Sequence, residues 1–357
     1  MRRREVIGGG VVNRPPSPLS MLLSRHTRRR EFLALLAGLA AARPGRAQSP
    51  DRTRRVGVII GIAESDPEGR RRLTAFREAL KALGWAEGRN LDITVRWAAG
   101  DAARAQAVAR DLIQMGPEVV LASSGPAVAA LQGESSRVPV VFVQLIDPVG
   151  RGLVDSLARP GRNLTGLTNF EPTMGGKWLQ LLKELAPATK RVGFLYNAET
   201  AARGAGSGVY VQSFESFAAA LTVQAVMMPA RNASEVRQAI ETFAREPEGA
   251  LLVPPDISNT IHRGAIIEGA AVHRLPAIFP YRYYVVDGGL MSYGVDPAHV
   301  YRGAAAYVDG ILRGESAAEM PVQQPTSFEL LINLKTAAAL GLTIPPTLLA
   351  RADEVIE

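Results

Sequence analysis

The chain carries two copies of the same pair of hydrophobic segments at a nearly constant separation. The sequence RVGVII at 55–60 returns as RVGFLY at 191–196, and RVPVVF at 137–142 returns as RLPAIF at 274–279. The two offsets are 136 and 137 residues. Self-similarity at so long a period indicates a duplicated domain rather than a short structural repeat. Two similar domains predict a cleft between them, which is the first place to look for function.

Within each copy, short hydrophobic segments alternate with longer helical patterns. Residues 73–83, for example, place Leu73, Phe76 and Leu80 on one helical face. Strands are expected at 56–60, 91–95, 119–122 and 138–143 in the first copy, and at 192–196, 223–227, 250–253 and 277–279 in the second. Uninterrupted apolar strands between helices indicate a parallel sheet covered on both faces. The predicted fold class is therefore α/β, with two Rossmann-like lobes that contain parallel sheets.

The remaining segments fit neither copy. They are a strand pattern at 289–293, a helix pattern at 302–312 and a strand pattern at 328–332. We expect the chain to cross between the lobes near 163–168, 281–294 and 314–324, which would form a three-crossover hinge. The expected domains are an export signal at 1–47, a first lobe at 54–165 plus about 289–315, and a second lobe at 166–285 plus about 325–357.

Residues 1–47 have the layout of an export signal. Arg28-Arg29-Arg30 precede an apolar run from Phe32 to Ala42, and small residues precede a cleavage site expected after Ala47. Paired arginines before such a run are typical of twin-arginine signals. The run is shorter than the ~20 residues that span a membrane. We therefore expect a soluble mature protein in the periplasm, with Met21 as the true start.

Removing this signal changes the charge of the protein. The whole chain has 41 basic and 34 acidic side chains, and residues 1–47 hold ten of the arginines and two of the glutamates. The mature protein is left close to neutral, whereas nucleic-acid binders keep a basic stripe for phosphates. Its main basic cluster, Arg70-Arg71-Arg72, is interpreted as a solvated helix face. No nucleic-acid partner is expected.

The sequence carries few signals for catalysis. It has no cysteine, which excludes disulfides, thiolate metal sites and an N-terminal lipid anchor. The four histidines show no metal-ligand spacing, and Ser124 lacks the Gly-x-Ser-x-Gly elbow of serine hydrolases. We expect no metal, no cofactor and no catalytic residue.

The strand ends provide the candidate ligand-binding residues, because ligands of open parallel sheets bind beyond the carboxyl ends of the strands. Ser123, Ser124 and Gly125 precede a helix whose free N–H groups can hold a small anion. Alternatively, Ser124 only caps that helix. The full candidate set is Ser123, Ser124, Gly125, Gln144, Asp147, Asn197, Asp256, Tyr281 and Tyr293.

Two carboxylates and two aromatic rings complete this hypothesis. Asp147 and Asp256 follow strand ends in different copies, where either can hold a ligand ammonium or hydroxyl group. Alternatively, they are turn residues, and Asp256 is a helix cap. Tyr281 and Tyr293 can stack on a flat ligand, or they belong to the core or the rim.

Several longer segments resemble a single protein family. They are Phe76–Leu80 with Gly84-Trp85, Asp147–Gly150, Leu157–Gly161, Asn163–Gly166, Gly289–Gly294, Ile332–Thr336 and Gly341–Pro346. Together they resemble the ABC transporter substrate-binding proteins related to tryptophan- and tyrosine-binding lipoproteins, over essentially all of residues 54–357. The resemblance implies a type I periplasmic-binding fold that delivers a small solute to a membrane permease with its ATPase. The family pocket maps by position onto Ser123–Gly125, Asp147, Asn197, Asp256 and Tyr293.

The sequence thus leads to one leading hypothesis and two alternatives. We expect a monomeric, non-enzymatic, periplasmic solute-binding component of an ABC importer, with an amino acid or another carboxylate as its ligand. In the characterised relatives that the resemblance implies, the ligand is an aromatic amino acid. The first alternative is a periplasmic sensor of the same fold that feeds a signalling receptor. The second is a two-lobe enzyme.

Overall fold

The structure is a computed structural model that describes residues 52–135, 137–202 and 206–357. The export signal expected at 1–47 lies outside these ranges. None of the helices within them has the length and apolar content that a membrane span requires.

The first lobe is built around a parallel sheet. Its elements are β1 (Arg54–Ile60), α1 (Pro67–Ala82), β2 (Leu91–Trp97), α2 (Ala102–Gln114), β3 (Val119–Ser123), α3 (Gly125–Glu134), β4 (Val140–Leu145) and β5 (Leu164–Thr168). The strand order in this part of the described chain is β2-β1-β3-β4-β5, and all neighbouring strands are parallel. Residues of β3 are buried throughout, as expected for a central strand covered by helices on both faces.

The second lobe contains a larger sheet. Its elements are α4 (Met174–Leu185), β6 (Arg191–Tyr196), α5 (Ala198–Ala202), α6 (Val211–Ala220), β7 (Gln224–Pro229), α7 (Ala233–Ala244), β8 (Gly249–Leu252), α8 (Ile257–Ile261), α9 (Arg263–Val272), β9 (Ala277–Phe279), α10 (Arg282–Val286), β10 (Met291–Gly294), β11 (Glu329–Asn333), α12 (Leu334–Ala339), α13 (Pro346–Leu349) and β12 (Glu354–Ile356). A 3-10 helix, Gly206–Tyr210, precedes α6, and α11 (Pro297–Leu312) follows β10. The strand order in the described residues is β12-β11-β10-β9-β8-β6-β7. Only the β10–β11 pairing among these is antiparallel.

The strand orders confirm the duplication that the repeated sequences predicted. The first lobe contains the order β2-β1-β3-β4, and the second contains the order β7-β6-β8-β9. The strands that carry the repeated sequences, β1 and β6, occupy the same position in the two orders. Each lobe therefore directs the carboxyl ends of equivalent strands toward a similar edge, where ligands of such sheets bind.

The segments beyond the duplication divide between the lobes differently from the sequence-based domain assignment. Residues 289–315 were assigned to the first lobe, but β10 pairs with β9 and β11 in the second sheet. Only α11 packs on the first lobe, against α1 and the sheet. A short apolar strand is compatible with either sheet edge, so its sequence did not specify the partner. The chain passes between the sheets after Thr168, at Val295–Asp296 and after Gln323.

Helix α1 begins earlier than its apolar pattern predicted. The Asp66 side chain accepts a hydrogen bond from the Glu68 N–H (3.0 Å), and Pro67 occupies the first turn. These are standard helix-start features. The additional turns add Glu68 and Arg72 to the helix, and both side chains are buried. This change of boundary matters for the binding site.

A β-bulge in β4 shapes the edge of the first sheet. The β4–β5 register shifts between Val143 and Leu145, and the intervening Gln144 has φ 56°. Bulges bend a strand and redirect a side chain, often near functional sites. The bulge leaves Gln144 positioned to accept hydrogen bonds from two neighbouring elements of the first lobe.

Candidate functional site

A cavity of about 570 Å³ lies between the two lobes. Its lining includes residues from the strand ends of both sheets, together with Arg72 from α1 and Asn169 from the first crossing. Of the nine candidate residues, six line this cavity: Ser124, Gly125, Gln144, Asn197, Asp256 and Tyr281. The volume falls within the ~300–1,000 Å³ typical of small-molecule sites.

The other three candidates lie outside the lining. Ser123 is buried at the end of β3, where its hydroxyl donates to Gln144 Oε1 (3.3 Å). Asp147 closes a turn by accepting a hydrogen bond from the Gly150 N–H (2.9 Å). This contact is the one expected if Asp147 is a turn residue. Tyr293 stacks on Phe328, with ring centroids 5.6 Å apart. Tyr293 lies one residue before the end of β10, close to the predicted strand end, but its position in the sequence does not specify which way its ring points.

Backbone strain is concentrated at this edge of the first sheet. Positive φ values occur at Ala99 (52°), Ser124 (89°), Gln144 (56°) and Asp147 (46°), each just after or at the end of a strand. Such conformations disfavour non-glycine residues by about 1–3 kcal/mol each and are found often at ligand sites. The strain supports the choice of this edge as the binding region.

Arg72 is the main site residue that the sequence analysis missed. Its side chain is 2% exposed, whereas Arg70 and Arg71 are exposed. The interpretation of this arginine cluster as a solvated face is therefore wrong for Arg72. Helical spacing could have indicated this, because Arg72 lies one turn before the buried Phe76 and four residues after Glu68.

Hydrogen bonds hold two of the three guanidinium nitrogens of Arg72. Nε donates to Glu68 Oε1 (2.9 Å), and Nη1 donates to Gln144 Oε1 (2.8 Å). Burial lowers the pKa of Arg72, but the neighbouring Tyr283 and Glu68 raise it to a net value above the ordinary one. The guanidinium is therefore charged. Its Nη2 atom is buried and has no hydrogen-bond partner among the described residues.

Asn169 occupies the first crossing between the lobes. Its Nδ2 donates to the Tyr281 hydroxyl (2.6 Å), which links the crossing to the second lobe. Its Oδ1 is buried and lacks a partner in the described part of the chain. Because Asn169 directly follows β5, the strand-end rule could have identified it from the sequence.

The start of α3 is open toward the cavity. The Ser124 side chain makes no capping hydrogen bond within the described residues, so it does not act as the cap considered above. A Cβ atom on Gly125 would lie 3.1 Å from Nη1 of Arg151. Burial lowers the pKa of Arg151, while Asp147 acts to raise it. A second guanidinium therefore lies beside the helix N-terminus, where negative charge is favoured.

The two polar candidates of the second lobe are occupied by local hydrogen bonds. Asn197 Oδ1 accepts from the backbone N–H groups of Glu199 (2.9 Å) and Thr200 (3.2 Å). Asp256 caps α8 by accepting from the Ser258 N–H (2.9 Å). The hydroxyls of Thr200 and Ser207 and the Ser207 N–H also donate to Asp256. Burial raises the pKa of Asp256, although these hydrogen bonds act to lower it.

We predict that Asp256 is a structural residue. Asp256→Asn should lower the free energy of unfolding by about 1–3 kcal/mol, because the Ser207 N–H would face an amide NH₂ group. Urea unfolding measures this loss, and ligand titration of the folded variant should give a nearly unchanged affinity. A variant with normal stability and abolished binding would instead show that the Asp256 carboxylate holds the ligand.

The two lobes contact each other through an ion pair and an apolar contact. Arg263 of α9 forms a bidentate ion pair with Asp66 at the start of α1, with N–O distances of 2.7 and 3.1 Å. Nearby, Ile261 of α8 packs on Gly100, which has φ 77° and no room for a Cβ atom. These contacts join one lobe to the other directly across the cleft.

The arrangement agrees with comparisons to known proteins. A family model described as "ABC transporter substrate binding protein" matches residues 56–356. The chain is 27% identical over 285 residues to a tyrosine-binding protein of Clostridioides difficile (strain R20291). The matched region covers 79% of this chain and 81% of that protein.

Solved structures share the two-lobe fold. An ABC domain from Streptococcus pneumonia in complex with L-Trp is 23% identical, with a TM-score of 0.78 over 85% of this chain and 100% of that one. A ligand-free, open substrate-binding protein with adhesive properties from Clostridium difficile is 25% identical, with a TM-score of 0.63 over 85% and 99% of the two chains. These similarities confirm the predicted type I periplasmic-binding fold.

Proposed function

The chain belongs to the ABC transporter substrate-binding protein family, and we propose that it is the periplasmic solute receptor of an ABC importer. It captures a small organic carboxylate between its lobes and delivers it to the permease and ATPase of the inner membrane. This proposal rests on Arg72, which lines the inter-lobe cavity and whose buried Nη2 has no hydrogen-bond partner in the described chain. A buried donor without an acceptor is unfavourable, and a ligand carboxylate would form a charge-assisted hydrogen bond with it.

The relatives support a carboxylate ligand. The names of two of them specify tyrosine and L-Trp, which share a carboxylate group and an aromatic ring. The lining of the cavity in this chain includes the aromatic residue Tyr281 and the apolar residues Pro126, Ile257 and Ile261. A ligand with one carboxylate and an apolar body therefore suits the lining.

Closure of the lobes around the ligand is the step that would signal occupancy. The Asp66–Arg263 ion pair already joins the lobes. This contact supports a closed arrangement here. A ligand that binds this arrangement more tightly shifts the population toward it, and the permease would recognise the closed form.

The location and the non-enzymatic role form part of the same proposal. The twin-arginine pattern at 28–30 supports export to the periplasm. Since the chain belongs to a family of substrate-binding proteins, we propose binding and release of an unchanged solute by a monomer.

Ligand-dependent thermal stability tests this function. The purified protein should be screened against amino acids and small carboxylates by thermal unfolding. A ligand present at 100 times its dissociation constant should add about 2.7 kcal/mol to the free energy of unfolding and raise Tm accordingly. If no member of either class raised Tm, the proposed carboxylate receptor would be ruled out.

A further inference from the structure

Two residues that line the cavity, Arg72 and Asn169, each have a buried polar atom without a hydrogen-bond partner in the described chain. Arg72 Nη2 is a donor and Asn169 Oδ1 is an acceptor, and the described chain provides no hydrogen bond to either. Their side chains are only 2% and 1% exposed, and both residues line the cavity. Because buried polar groups are nearly always hydrogen-bonded, these two atoms define what a ligand has to supply.

Other polar atoms of both side chains already form hydrogen bonds within the protein, and these bonds hold the two unpartnered atoms in place. Arg72 is held by Glu68 and by Gln144. Asn169 donates through Nδ2 to the Tyr281 hydroxyl, so its oxygen is the atom left over. The free donor is charged and the free acceptor is neutral. A matching ligand carries an anionic group for Arg72 and a hydrogen-bond donor for Asn169.

Further positive charge lies along the same cavity. The Arg151 guanidinium lies beside Gly125, at the open start of α3. The helix N-terminus adds partial positive charge there. Arg72 is connected to this region, since Gln144 accepts from both Arg72 and Ser123. The first-lobe wall therefore favours an anionic group.

The carboxylates that line the cavity are poorly placed to hold a cation. Asp256 already accepts hydrogen bonds at both oxygens from its own lobe. Asp101 is exposed and caps α2 through the Arg104 N–H (2.8 Å). Glu199 is exposed on α5. Among the described residues that line the cavity, no buried carboxylate remains to receive an ammonium group.

We propose that the solute is an organic carboxylate without an α-ammonium group, with its carboxylate on Arg72 and a neutral donor such as a hydroxyl on Asn169. This inference rests on the proposed receptor function and narrows its ligand class. At the Asn169 position, an α-ammonium group would be buried beside a guanidinium with a neutral amide oxygen as its acceptor. Burial of a charge without an opposite charge is strongly unfavourable, whereas a hydroxyl satisfies Asn169 without that penalty.

Ligands that differ only at the α-carbon test the proposal. Isothermal titration calorimetry should compare L-phenylalanine, L-phenyllactate and 3-phenylpropionate, and then L-valine, 2-hydroxyisovalerate and isovalerate. In whichever series binds, the hydroxy acid should bind at least about tenfold more tightly than the amino acid, because only the amino acid has to bury an ammonium group without an opposite charge.

The possible outcomes separate this inference from the receptor function. If the amino acid binds as tightly as its hydroxy acid or more tightly, the inference is overturned while the carboxylate receptor stands. If all six compounds fail to bind, the carboxylate pocket itself is contradicted, and both proposals fall together.

A gain of amino-acid binding provides the second test. Asn169→Asp places a carboxylate where the ammonium of an amino acid would lie, and the Tyr281 hydroxyl can donate to it. The ratio of phenylalanine affinity to phenyllactate affinity should rise by about tenfold or more. Asn232→Asp is the matched control, because Asn232 caps α7 on the exposed surface and does not line the cavity.

The ratio should stay constant in this control. An unchanged ratio in Asn169→Asp, or an equal rise in both variants, would show that Asn169 does not face the α-substituent of the ligand. Because the test measures a gain of binding, misfolding cannot produce the expected result.

Discussion

Replacing Arg72 with glutamine is expected to lower the free energy of unfolding by about 3 kcal/mol and to weaken carboxylate binding by roughly 10- to 150-fold. The stability loss follows because Glu68, whose side chain is 6% exposed, would remain buried without its main ion-pair partner. Breaking such a pair from one side costs about 3–5 kcal/mol. The lower end applies because Arg71 remains 3.4 Å from Glu68. Urea unfolding followed by circular dichroism measures the change.

The double variant Glu68→Gln/Arg72→Gln separates stability from binding. It removes both charges together, so most of the lost stability should return, since replacing both members of a buried pair is often nearly neutral. Carboxylate affinity should stay reduced by roughly 10- to 150-fold, the equivalent of about 1.5–3 kcal/mol for a hydrogen bond to a charged group. Wild-type affinity in the stable double variant would exclude Arg72 from the binding site.

Replacing Asp66 with asparagine is expected to accelerate ligand release and weaken binding by roughly 10- to 150-fold. The substitution keeps the oxygen that caps α1 but removes the charge that pairs with Arg263 across the cleft. This ion pair joins the two lobes, so removing it should destabilise the closed state, by about 1.5–3 kcal/mol, and not the open state. Stopped-flow fluorescence measures the dissociation rate.

Asp296→Asn is the matched control for Asp66→Asn. Asp296 also caps a helix, α11, and also pairs with an arginine, Arg71 at 2.8 Å. Because α11 packs against α1, that ion pair does not depend on closure of the cleft. Equal effects of the two substitutions would show that Asp66 acts through general stability and not through closure.

The sequence was sufficient to predict the duplicated architecture. The paired RVG and R-x-P segments identified equivalent strands of two lobes, and the strand-end rule selected six of the cavity-lining residues. Both inferences depend on local hydrophobic patterns, which strands of a covered parallel sheet require. Strand β10 was assigned to the wrong lobe because its choice of sheet depends on long-range pairing with β9 and β11.

The polar interior of the site was harder to predict. Arg72 lies in a run of three arginines, and only the helical phase distinguishes the buried one from its exposed neighbours. The Asp256 carboxylate accepts a hydrogen bond from Ser207, which is distant in the sequence. Whether a polar group is free for a ligand depends on all the groups around it, so residue type and strand position were insufficient.

The late position of α11, β11 and β12 in the chain has a consequence for folding during synthesis. The first lobe is incomplete until α11 covers it, and the second sheet lacks its β11–β12 edge until the final residues are made. Neither lobe can therefore complete its folding before translation of the chain is nearly complete. Contacts of such long sequence separation slow folding and leave apolar surface exposed in intermediates. We expect the two lobes to fold as one cooperative unit, and a chain truncated before β11 to bind chaperones or aggregate.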